Sequence, residues 1–132
     1  GDDPDERKPL WWEEIRFDPE SRSNLKPGPK ILDEVGFNRP MFEYYKKLTR
    51  IRRNNPVLAN GKIEFVRAEK DILIYKRFND DHTIYVMFNT GNNQEEVTLD
   101  ESGSYLDLLT DEETGSGKLV LPAMHAKILK KI

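Results

Sequence analysis

The sequence predicts a mainly β protein: an antiparallel Greek-key β-sandwich preceded by a loop arm and one α-helix. Three observations carry that expectation. From about residue 61 onward, short apolar runs recur at spacings near ten residues with polar turns between them, the pattern of a sandwich. Residues 39–54 hold a single stretch of helical periodicity. Residues 1–37 hold Pro4, Pro9, Pro19, Pro27 and Pro29 with Gly28 and Gly36, and no sustained period.

The arm reads as loop because Lys26-Pro27-Gly28-Pro29 fits neither a helix interior nor a central strand. A loop of that length inside a compact domain argues that the arm belongs to something larger. The helix follows. Asn38 is placed to cap it and Pro40 suits its first turn. Met41, Tyr44, Tyr45, Leu48 and Ile51 fall on one face as an apolar stripe. Lys46, Lys47, Arg50, Arg52 and Arg53 crowd the C-terminal half, where they complement the helix dipole, and Pro56 marks the stop. The expected strands are 62–67, 72–78, 83–89, 95–99, 105–109, 118–121 and 126–131. The run Thr83-Ile84-Tyr85-Val86-Met87-Phe88 is apolar nearly throughout, which places it centrally and buried on both faces. The change from helix to β puts a boundary near Asn60-Gly61.

Composition narrows the partners. The 132 residues carry 24 acids against 21 bases, a net charge of −3. A mildly acidic surface attracts neither nucleic acid nor an anionic membrane. No apolar run approaches the ~20 residues that span a bilayer. There is no cysteine, hence no disulfide and no thiolate metal site. His82 and His125 lack a second histidine or a carboxylate at ligand spacing, so both read as structural, and neither a metal nor a cofactor is expected.

The densest chemistry lies in Gly1-Asp2-Asp3-Pro4-Asp5-Glu6-Arg7-Lys8-Pro9-Leu10-Trp11-Trp12. A carboxylate, a guanidinium and two indoles on a proline-stiffened segment are suited to holding a sugar. Carboxylates accept from neighbouring hydroxyls and a guanidinium donates in a rigid fork. The plain alternative for Asp3 and Arg7 is an internal ion pair that shapes the loop. Trp11 and Trp12 either stack on a glucose ring or pack; neighbours in an extended segment point opposite ways, so at most one faces a cleft. The arginines 50, 52 and 53 read as a solvated helix end rather than a phosphate site. Tyr75, Tyr85 and Tyr105 read as core rather than as a sugar platform.

Taken in order, these segments resemble the C-terminal end of glycoside hydrolase family 13, the α-amylase family, in particular its neopullulanase and cyclomaltodextrinase-like members. In that family an Asp-Pro-x-x-Arg-x-Pro segment and a Trp follow the eighth barrel strand; here it reads Asp3 to Trp12. The last barrel helix is similar to 42–52 and ends at Asn55-Pro56-Val57-Leu58. The β-sandwich called domain C then follows, with Phe88-Asn89-Thr90, Tyr105-Leu106-Asp107-Leu108-Leu109 and Leu119-Val120-Leu121-Pro122 as its marks. The link between Trp12 and Asn38 is longer and richer in proline than is usual there.

The resemblance implies two domains: residues 1–58 as the remnant of a catalytic (β/α)8 barrel, with its substrate-side loop and last helix, and residues 59–132 as domain C. It implies an α-glucan or maltooligosaccharide substrate and the upstream catalytic barrel of the same protein as partner. It implies that Asp3 and Arg7 approach sugar hydroxyls on the donor side, with Trp11 and Trp12 beside them. Retaining hydrolysis needs two carboxyl groups about 5–5.5 Å apart. The family's catalytic acids lie on earlier strands and no segment here matches them, so this chain alone is expected to be inactive. Two other classes stay open: a free-standing carbohydrate-binding β-domain and a purely structural β-module.

Overall fold

The computed structural model describes residues 12–16, 19–21, 32, 33 and 35–132. The chain divides into two compact units, Gly1–Tyr44 and Tyr45–Ile132.

In the first unit, strands β1 (Glu20–Ser21) and β2 (Leu32–Asp33) form a two-residue antiparallel ladder inside the stretch expected as loop. Helix α1 (Arg39–Asn54) has the expected bounds and runs on into the second unit. Its N-terminus is closed by Asn38, whose Oδ1 accepts from the Met41 N–H at 3.1 Å. At the other end the buried Asn55 amide donates to the Ile51 carbonyl at 2.9 Å, satisfying one of the orphan acceptors of the last turn. A short helix α2 (Val57–Asn60) then leads through Gly61 into the sheet. A Cβ at Gly61 would lie 2.7 Å from the Val57 carbonyl oxygen and 2.9 Å from that of Phe78, so only glycine fits this corner without a shift.

Eight further strands follow: β3 (Lys62–Glu69), β4 (Ile72–Phe78), β5 (Thr83–Asn89), β6 (Glu95–Val97), β7 (Ser104–Asp107), β8 (Glu112–Gly115), β9 (Leu119–Leu121) and β10 (His125–Lys131). Six pair in the antiparallel order β3-β4-β5-β10-β7-β8, and β6 pairs with β9 in a second small sheet. The chain leaves the large sheet after β5 and again after β8, then returns so that β10 lies between β5 and β7. β5 is central and Ile84 to Met87 are all buried, as its composition predicts.

Alternation along the strands builds two cores. Ile72, Ile74, Tyr85, Met87, Tyr105 and Leu129 point to one face and meet Val97, Leu99, Leu119 and Leu121 from the β6–β9 side. Ile84 and Val86 point to the other face and pack on Val57, with Leu58, Tyr75 and Ile128 around them. Tyr85 and Tyr105 are fully buried, edge to face at 5.7 Å, and so are core and not a platform.

Candidate functional site

Asp3, Arg7 and Trp11 lie outside the described residues. Trp12 is described and is half exposed. It opens a turn in which the Ile15 N–H returns to the Trp12 carbonyl at 3.1 Å. Its ring meets Phe42 edge to face at 6.4 Å, and Phe42 lies 5.1 Å from Phe37. Arg39 stands over Phe37 at 5.7 Å and pairs with Glu13. Trp12 is thus held by an aromatic cluster on the first turn of α1 while half of its surface stays open. A ring so held loses little freedom when a ligand covers the rest.

A second feature is an apolar groove of about 380 Å³ within the unit Tyr45–Ile132. Leu48 and Ile51 of α1, Leu58 of α2, Ile63 of β3, Tyr75 of β4 and Phe88 of β5 line it. Around it large apolar side chains remain in solvent: Ile63 is 50% exposed and Phe65 62%. The stripe on α1 is similarly open. Only Ile51 is buried, Leu48 is half-buried, and Met41, Tyr44 and Tyr45 are exposed. Exposed apolar side chains that gather on one surface are the usual mark of an interaction site. Phe65 and Tyr75 lie 6.1 Å apart but tilted by 59°, so they do not present the coplanar platform a sugar stacks on.

Two guanidiniums, of Arg52 and Arg77, are the charged groups lining this groove. Arg77 Nη2 donates to the Ala59 carbonyl at 2.8 Å, and Arg52 Nη1 reaches the Leu58 carbonyl at 3.3 Å. Arg77 Nε is buried without a hydrogen-bond partner. The run Ile74-Tyr75-Lys76-Arg77-Phe78 carried the signal for both of its cations: alternation sets Lys76 on the face of Ile74 and Arg77 on the face of Tyr75.

Lys76 closes the main core at one end. Its ammonium donates to Asp100 at 2.7 Å and lies 3.4 Å from Glu64 and 3.5 Å from Glu101. The Tyr85 hydroxyl also donates to Asp100, and Lys131 donates to Glu101 at 2.9 Å. Burial alone would raise Asp100, but the hydrogen bonds from Lys76 and Tyr85 outweigh it and hold the carboxyl below its ordinary range. The hydrogen bond from Lys131 lowers Glu101 against a smaller burial penalty. Lys76 is raised by its hydrogen bond to Asp100, and Tyr85 is pushed far up, first by burial and then by the same carboxylate. Every member is tied to another, so the cluster fixes structure and leaves no group poised for acid–base work.

A second depression, of about 200 Å³, sits at the β3–β4 turn, between Arg67, Glu69, Asp71, Asn89 and Glu95. Arg67 is paired with Glu69 at 2.6 Å. Asn89 acts inward: its Nδ2 lies within hydrogen-bond reach of the carbonyls of Asn93 at 2.8 Å, Pro122 at 3.0 Å and Leu121 at 3.1 Å, and its Oδ1 accepts from the Gly91 N–H at 2.9 Å. His82 sits in the β4–β5 turn organised by Asn79 Oδ1, and His125 Nδ1 lies 3.2 Å from the Ala123 carbonyl. Among the described residues no group of three or more metal-ligating side chains converges, and no helix is long and apolar enough to cross a membrane.

No family model matches the chain. Individual relatives do. It is 34% identical over 111 residues to neopullulanase 2 of Thermoactinomyces vulgaris and 33% identical over 116 residues to a cyclomaltodextrinase of Thermoanaerobacter pseudethanolicus. Those alignments cover 76% and 86% of this chain but 19% of each relative, so the chain spans about a fifth of their length. Among solved structures, an Anoxybacillus α-amylase superposes with a TM-score of 0.67 at 24% identity, over 76% of this chain and 24% of that one. The structure of AmyP in complex with maltose superposes with a TM-score of 0.64 at 26% identity, over 70% of this chain and 20% of that one.

Proposed function

The chain belongs to the α-amylase family of glycoside hydrolases as part of its C-terminal region, and from that premise we propose that it completes and steadies an α-glucan-active catalytic barrel lying upstream in the same protein. In this reading residues 1–58 finish the barrel and residues 59–132 are domain C. The observation that supports it most is the open apolar face of α1 and β3. Burying a large apolar side chain is worth roughly 1.5–3 kcal/mol, so several left in water mark an unfilled contact. The barrel is the body that would cover them.

Asp3 and Arg7 would bind hydroxyls on the donor side of the cleft, with Trp11 or Trp12 offering a ring face. The half-exposed, laterally held indole of Trp12 favours that role for Trp12. The chain supplies no catalytic carboxylate of its own, and the substrate is an α-glucan or maltooligosaccharide. The test is to mix the chain with the separately produced upstream barrel and assay starch, pullulan and cyclodextrin. Activity should appear only in the mixture and fall at least tenfold with Asp3→Ala or Arg7→Ala. Maltoheptaose binding by the chain alone, with no activity in the mixture, would instead make it a free-standing carbohydrate-binding module.

A further inference from the structure

The groove beside α2 combines an apolar floor with a cation that lacks a counter-charge. Leu48, Ile51, Leu58, Ile63, Tyr75 and Phe88 form the floor, and Arg77 stands over it from β4. One of its nitrogens, Nη2, is spent on the Ala59 carbonyl. Nε, on the side edge of the guanidinium fork, is buried, and among the described residues it is the one buried side-chain polar atom without a partner. Among the described residues neither Arg77 nor Arg52 forms an ion pair, whereas Arg67, Lys76, Lys127 and Lys131 of the same sheet are each matched to a carboxylate. A guanidinium without a counter-charge is matched best by a carboxylate meeting its fork, through the strongest hydrogen bonds available to arginine.

We infer that the groove seats an apolar segment of the upstream barrel carrying one Asp or Glu, and that this carboxylate pairs with the guanidinium of Arg77. The inference rests on the docking reading above and names the chemistry of its contact. The floor selects an apolar segment, and the two unpaired guanidiniums select a negative group on it. A sugar fits less well, because the aromatic pair Phe65 and Tyr75 is tilted and offers no flat stacking face.

Carbodiimide joins carboxylates to amines without a spacer, so the full-length R77K protein tests the contact directly. After digestion, mass spectrometry should find position 77 linked to an Asp or Glu upstream of residue 1. In parallel a longer amine-to-amine reagent reports docking itself through Lys47 and Lys62. Long links to the barrel without the short link at 77 would overturn the inference and leave docking standing. A short link to an acid within residues 1–44, or to a second copy, would overturn it too. Absence of both kinds of link would remove the docking reading and the inference with it. A second readout holds if R77K folds poorly. Amides of α2 and β3 in the full-length protein should exchange at least fivefold faster in R77E than in R77M, since only the acid is repelled; equal rates would mean that no carboxylate faces this position.

Discussion

Asn89 shows how much one side chain can organise. From the end of β5 it reaches the carbonyls of Asn93, Leu121 and Pro122 and receives Gly91, so it ties the β5–β6 turn to the entry of β10. Asn89→Ala takes the donor from the buried Leu121 carbonyl and from two part-buried ones, and should cost roughly 1–3 kcal/mol. Urea unfolding beside an Asn92→Ala control, which alters an exposed position, measures it. Lys76 and its acids make a second prediction, on pH. Asp100 and Glu101 are lowered from ordinary values of 3.8 and 4.5. Their contribution is therefore present above those values and lost as pH falls through the lowered folded ones. Lys76 and Lys131 are raised from 10.5, so theirs is present below 10.5 and lost as pH climbs beyond it. Urea midpoints should be flat from about pH 5 to 9 and fall on both sides, and K76M should flatten the acid limb. A midpoint that K76M leaves unchanged at every pH would remove the cluster from the account of stability. Both roles were half legible. Phe88-Asn89-Thr90 stood out as a family mark and Lys76 sat in phase with Ile72 and Ile74, but a partner 24 residues away in a loop, Asp100, leaves no periodic trace.

Among the elements, α1 is the one whose environment is incomplete. Its C-terminal turns are anchored: Ile51 is buried and Lys47 donates to the Leu109 carbonyl at 2.6 Å. Its first turns carry Met41, Tyr44 and Tyr45 in solvent. Hydrogen exchange by mass spectrometry should find the amides of Met41–Tyr45 poorly protected in the isolated chain and slowed severalfold in the full-length protein. Slow exchange there in a monomer would mean that the stripe is already satisfied. The bounds of α1, β4 and β5 were readable because cap, period and turn agreed at each. β8 was not: Glu112-Glu113-Thr114-Gly115 has no aliphatic side chain and is a strand only because its backbone pairs with β7 at the sheet edge. β1 and β2 were missed for the same reason, since a two-residue ladder is made by register and not by pattern. α2 escaped because one turn after a proline shows no period. Of the candidate site, the sequence indicated Trp12 and the apolar stripe of α1; the groove was invisible, because it is assembled from six elements, α1, α2, β3, β4, β5 and β10, none of which gives it more than three residues.

For the molecule as a whole, the apolar face makes a claim that separates docking from folding. Ile63 and Phe65 lie on the edge strand β3 with half or more of their own surface in solvent. Replacing them together, Ile63→Lys with Phe65→Glu, should shift the stability of the isolated chain by no more than about 1 kcal/mol. Activity regained with the separately produced barrel should drop at least tenfold. Comparable loss of stability and activity would mean that the face serves the sandwich itself. The sheet order has a consequence of another kind, in time. β3, β4 and β5 form one antiparallel run, and β7 with β8 another, but no strand ladder joins the two until β10 pairs with both β5 and β7. A ribosome delivers β10 after all the others. Until residue 131 has cleared the exit tunnel, the nascent sandwich is two half-sheets, each showing the raw flank that β10 will occupy. In that interval the unpaired flanks are open to pairing with other chains, a hazard that the finished sheet does not carry there.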